Sequence, residues 1–192
     1  MTVLAGLVGM VGVLLAAGGV SKARRPAPTV RSLRALHLPA SGTAVRALAA
    51  VEVVVGALLV LFAGRWTCAV GAVIFAAFTI VSARLVRLGD DATSCGCFGD
   101  RSARPSWWHV GVDAGAALAL AAGAIAATTG VAHHWHSLPG QGYVVLALIG
   151  LGGYLLIALM TVLPDTLDAM SPSDEPGGRG LEFGLVRTGP TR

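Results

Sequence analysis

Five uninterrupted apolar stretches dictate what this chain can fold into. Residues 2–20, 47–64, 66–83, 114–132 and 143–163 each run 18 to 21 residues, and Glu52 is the only formal charge inside them. A helix crossing the hydrocarbon layer of a bilayer needs about 20 such residues. Charged residues make up 12% of the chain, roughly half of what globular domains carry. A soluble helical bundle would need polar faces on its surface helices, and these stretches have none. The expected fold is therefore all-α, a polytopic transmembrane helical bundle with five spans in the inner or plasma membrane. Its first partner is the lipid bilayer.

Lysine and arginine set the orientation. Lys22, Arg24, Arg25, Arg31, Arg34 and Arg46 surround the first connection, Arg84, Arg87, Arg101 and Arg104 flank the third, and Arg179, Arg187 and Arg192 lie in the tail. Thirteen of the 14 basic residues thus fall on one side, against Arg65 alone on the other. The positive-inside rule places the N-terminus outside and the C-terminus in the cytoplasm. The first stretch has no basic segment before it, so it reads as a retained helix and not as a secretory signal. The net charge of +4 reflects topology and contact with anionic lipid; no aromatic-basic patch points to a nucleic acid.

Between the spans, residues 22–45 hold a basic proline-containing turn and a short amphipathic pattern. Thr29 is its expected cap, Val30, Leu33 and Leu36 its apolar face, and Pro39 its end. It reads as a helix in the headgroup region. Gly64-Arg65-Trp66 is too short to do more than turn one span into the next. Small residues four apart, Ala5 and Gly9 or Gly111 and Gly115, are candidate points of close helix approach. From Pro164 onward proline, glycine and charge rise together, the composition of a disordered cytoplasmic tail.

Reactive chemistry concentrates in the connection over 88–106, where Cys95 and Cys97 are separated by one glycine. A dithiol is the simplest two-electron carrier a protein can build. Closing two cysteines across one residue makes a small strained ring, and strained disulfides are the labile ones. Cys68 opens the third span and is a helix length away, about 33 Å, so it cannot pair with that loop and reads as a small buried residue. Thiolates form most readily beside positive charge, and Lys22 ends the first span on the same face as the loop. Glu52 sits about 8 Å inside the second stretch, where an ionisable group usually faces the bundle interior and marks a functional site. Lys22 is its nearest counter-ion; Asp113 is either a third member of that cluster or an interfacial carboxylate. The readings left open are a redox pair supported by Glu52 and Lys22, a structural staple, two incidental thiols, and a soft-metal loop, since two thiolates suit Cu(I) or Zn. His133, His134 and His136 lie on the opposite turn and lack an evident enclosing site, so no metal site is assigned.

Three segments resemble the methylamine-utilisation MauE family, grouped with DoxX-like membrane proteins. They are Gly19-Val20-Ser21-Lys22, Glu52-Val53-Val54-Val55-Gly56 and Ser94-Cys95-Gly96-Cys97-Phe98-Gly99. The similarity covers roughly residues 1–131. It implies a four-helix membrane core over 1–131, with an added fifth span over 132–163 and a tail over 164–192. It also implies a part in maturing methylamine dehydrogenase, whose small subunit carries several disulfides. By that resemblance Cys95 and Cys97 are the redox pair, Lys22 and Glu52 the matching polar positions, and the partner a protein with redox cysteines. The family's enzyme is periplasmic, whereas the charge count puts this dithiol on the cytoplasmic side. A membrane quinone is a conceivable electron sink, although no quinone motif is visible. A non-enzymatic assembly factor is the competing expectation.

Overall fold

The computed structural model describes residues 3–88, 106–127, 143–144 and 146–158. All described secondary structure is helical. The helices are α1 (Val3–Arg24), α2 (Ala27–Ala35), α3 (Gly42–Leu61), α4 (Arg65–Leu88), α5 (Trp107–Ala126) and α6 (Leu146–Ala158). Four of them, α1, α3, α4 and α5, are long and apolar enough to cross a membrane. The chain is therefore a multi-pass helical protein of the kind the apolar stretches require. Of the fifth stretch, α6 is the part described.

Two tightly packed helix pairs, α1 with α3 and α4 with α5, form the bundle, and contacts of α1 with α5 and of α3 with α4 join them. Val8, Val11, Leu15, Leu59, Phe75 and Leu120 fill the shared interior. The outward faces are aliphatic as well: Val73, Leu118 and Ile125 are at least 70% exposed. Such a surface suits a molecule whose solvent is hydrocarbon. Trp66, Trp107 and Trp108 are exposed at helix starts, the interfacial position their rings favour.

Glycines set how closely α1 and α3 approach. A Cβ added at Gly56 would lie 2.6 Å from the Gly12 carbonyl oxygen, and one at Gly19 would lie 2.7 Å from the Ala49 carbonyl oxygen. Pairing of 12 with 56 and of 19 with 49 fixes an antiparallel register in which backbone meets backbone. The expected approach at Gly111 and Gly115 does not occur; a Cβ at either would meet nothing within 4 Å. Gly9 does receive a neighbour, Ile149 of α6, while Gly152 and Gly153 of α6 lie against Met10 and Val13. α6 thus docks on α1, outside the four-helix core.

Helix ends depart from the apolar stretches in an instructive way. α5 begins at Trp107, seven residues before its apolar run, and Asp113 in this added part finds a partner inside the bundle. Thr29 is not the cap of α2: the helix starts at Ala27 behind Pro26, with proline in the first turn, where a missing N–H costs nothing. Thr29 is buried within that turn. Leu36 caps the end of α2, where Leu38 and His37 donate to the Leu33 and Arg34 carbonyls, with His37 at φ 59. This is the reciprocal closure usually completed by glycine. Ser41 then caps α3, its hydroxyl accepting from the Ala44 N–H at 3.1 Å.

α2 does more than lie among headgroups. It buries Pro28, Thr29 and Ser32 against the bundle, and Leu36 beyond its end packs on Leu85 of α4. It closes the end of the bundle where α1 and α4 finish and where α3 and α5 begin.

Candidate functional site, a buried charge cluster

At that end the interior turns polar. Lys22 Nζ donates to Glu52 Oε2 at 2.7 Å, with side chains 4% and 0% exposed. Lys22 stands at the end of α1, and its long side chain lies back over the preceding turn, as helical side chains do. Gly19 occupies that turn, and a Cβ there would be 3.0 Å from Glu52 Cβ. The close α1–α3 approach therefore creates the space in which the pair forms. From α4, Phe78 offers its ring face to the ammonium at 4.4 Å, a cation–π contact that a buried cation can use.

A second polar pair lies alongside. Ser82 Oγ of α4 donates to Asp113 Oδ2 of α5 at 3.0 Å, both residues are buried, and Ser82 lies one turn from Phe78 on the same face of α4, which sets this pair beside the ammonium. One turn toward the start of α5, buried His109 shares a 2.8 Å hydrogen bond between its Nδ1 and Ser106 Oγ. Four helices thus contribute to one cluster: Lys22 from α1, Glu52 from α3, Phe78 and Ser82 from α4, and Asp113 from α5. Glu52 Oε1 is buried there with no hydrogen-bond partner among the described residues.

A cavity of about 250 Å³ opens beside Lys22 between α2, α3 and α4, bordered by Thr29, Ser32, Leu48, Val73 and Phe78. It is smaller than the roughly 300–1,000 Å³ of drug-sized ligand sites, and its walls are aliphatic and aromatic carbon.

The structure brings together Lys22 and Glu52, the pair expected from their shared depth, and it adds Asp113 as the third member. Cys95 and Cys97 lie outside the described residues, as do His133, His134 and His136. Cys68, at the opposite end, is buried, and its thiol donates to the Ala63 carbonyl at 3.5 Å, in keeping with a small packed side chain. Sequence reasoning missed Ser82, Phe78 and His109. For His109 a signal was present, since it precedes Asp113 by four residues and so shares its helix face.

Fold and site define a multi-pass helical membrane protein with a charge cluster enclosed by its core helices. The chain belongs to the MauE family: the family model described as methylamine utilisation protein MauE matches residues 1–128. That match spans α1 to α5 and stops short of α6. Neither comparison with curated proteins nor comparison with solved structures gives a match.

Proposed function

We propose that this protein supports thiol–disulfide exchange during maturation of a partner protein, in the setting of methylamine utilisation that its family's description names. Cys95 and Cys97 are the working pair in this reading, and Lys22 and Glu52 support it. One observation carries it: α4 and α5 run into the segment containing Cys95 and Cys97 from the same end of the bundle that encloses the Lys22–Glu52–Asp113 cluster.

A Cys95–Cys97 disulfide would accept two electrons from a partner dithiol. One partner thiolate attacks a sulfur, the Cys95–Cys97 bond breaks and a mixed disulfide forms. The second partner thiolate then displaces the cysteine, leaving an oxidised partner and two reduced thiols here. Reoxidation hands two electrons and two protons to an acceptor, for which a lipid-soluble quinone is the fitting class in a membrane. The basic residues orient the N-terminus outward and this dithiol toward the cytoplasm. The domain reading stays with a core over 1–131, an added helix over 132–163 and a cytoplasmic tail over 164–192.

Cys95→Ser and Cys97→Ser, each made in the full chain and expressed in place of the wild type, should abolish oxidation of the partner while protein levels stay unchanged. Full complementation by both variants would instead make the protein a non-enzymatic assembly factor. Metal retained at the thiols of purified protein would favour the soft-metal reading.

A further inference from the structure

Glu52 and Asp113 are the only acidic side chains among the described residues, and both are buried at the same end of the bundle, Glu52 paired with Lys22 and Asp113 with Ser82. Lys22 is the one buried lysine or arginine there; the others on α1 to α4 are exposed. Among the described residues the cluster therefore holds two carboxyl groups and one ammonium. With both acids ionised it carries a net negative charge inside the bundle, where uncompensated charge is strongly unfavourable. One added proton makes the set neutral. A second, independent observation points the same way. Glu52 Oε1 is fully enclosed and has no hydrogen-bond partner among the described residues, so a carboxylate there would leave one charged oxygen unmet.

We propose that Lys22, Glu52 and Asp113 form a proton-binding site within the membrane core, in which the two carboxyl groups together hold one exchangeable proton. The groups facing it are few. α1 contributes Lys22, α3 contributes Glu52, and α5 contributes Asp113 with His109 one turn away. α4 contributes the Ser82 hydroxyl and the Phe78 ring, and α2 contributes no buried charge. Ser82 donates to Oδ2 of Asp113 and so orients that carboxyl. His109 is the next titratable group along the same face of α5, toward the segment leading to α4, and is the group placed to pass the proton outward. Use of this proton in thiol chemistry rests on the function proposed above, whereas the existence of the site does not.

Infrared spectra of the purified full chain in lipid nanodiscs at neutral pH test this directly, because a protonated carboxyl gives a carbonyl band distinct from a carboxylate. Glu52→Gln and Asp113→Asn should each abolish one such band, since either leaves one acid for one ammonium. Lys22→Met should add a second band, since both acids then need protons. A Cys95→Ser/Cys97→Ser variant should keep the wild-type band, which separates this site from the redox reading. Absence of a protonated-carboxyl band in the wild type, or its persistence in both carboxamide variants, would overturn the proposal. The wild-type spectrum decides even where one variant fails to fold, and the amide band of each sample reports its helix content.

Discussion

A Glu52→Gln/Asp113→Asn double variant is expected to lose about 3–5 kcal/mol of stability, the cost of leaving a buried cation without its partner. Either single change should cost less. After Glu52→Gln the cluster still holds the Asp113 carboxyl to offset the ammonium, and after Asp113→Asn the ammonium keeps its 2.7 Å bond to Glu52. With both acids gone, Lys22 is left with the Phe78 ring face, and a cation–π contact supplies only about 2 kcal/mol when desolvated. Adding Lys22→Met to the double variant should recover most of the loss, because a buried charge set replaced by apolar or neutral groups of similar volume is often neutral in stability. The measurement is reversible unfolding in mixed micelles across the full cycle of single, double and triple variants. Additive costs for the two single changes would show that the acids do not share the ammonium.

The second large effect concerns the α1–α3 contact. Gly56→Leu should prevent assembly of the bundle, and Gly56→Ala should already destabilise it. A Cβ at Gly56 would meet the Gly12 carbonyl oxygen at 2.6 Å and the Ala16 nitrogen at 2.7 Å. These are backbone atoms, which cannot rotate aside as a side chain can. Overpacking a close-packed contact costs about 1–3 kcal/mol, and Gly56→Ala belongs at the upper end for that reason. The control is Gly115→Ala, where a Cβ meets nothing within 4 Å. It should be neutral or stabilising, since alanine is favoured over glycine in a helix by about 1 kcal/mol. Thermal unfolding of the three variants separates these outcomes. The consequence reaches the site, because the same approach carries Gly19 to within a methyl group of Glu52. A helix pair pushed apart at Gly56 loses the geometry that closes the ion pair.

Much of this arrangement is legible in the residues themselves. Apolar length alone gives the helical membrane class, since nothing but a helix satisfies its own backbone in hydrocarbon. The Lys22–Glu52 pair is legible for a related reason: a lone acid in an apolar run must find a cation at its own depth, and only Lys22 stands there. Asp113 was half visible. It sits just outside the apolar run, which leaves its depth open in the sequence, and the start of α5 at Trp107 places it about two turns into the helix. Of the candidate glycine contacts Gly9 meets α6 while Gly111 and Gly115 meet nothing within 4 Å, since small residues four apart recur by chance among 26 glycines. Which of them face a neighbour depends on helix rotation, a tertiary property. Thr29 was misplaced as a cap because a proline start needs no side-chain acceptor. Ser82 and Phe78 gave no signal, as a serine or a phenylalanine in an apolar helix has ordinary packing roles.

The functional account depends on Cys95 and Cys97 opening and closing reversibly at the end of the bundle that holds the charge cluster. The direct measurement is alkylation trapping of both thiols in growing cells, with membrane-permeant and impermeant reagents, while the partner protein is induced or absent. The account predicts a mixture of oxidised and reduced pair that shifts toward reduced as partner is made, with reduced thiols reached only by the permeant reagent. A pair fixed in one state under every condition would contradict it.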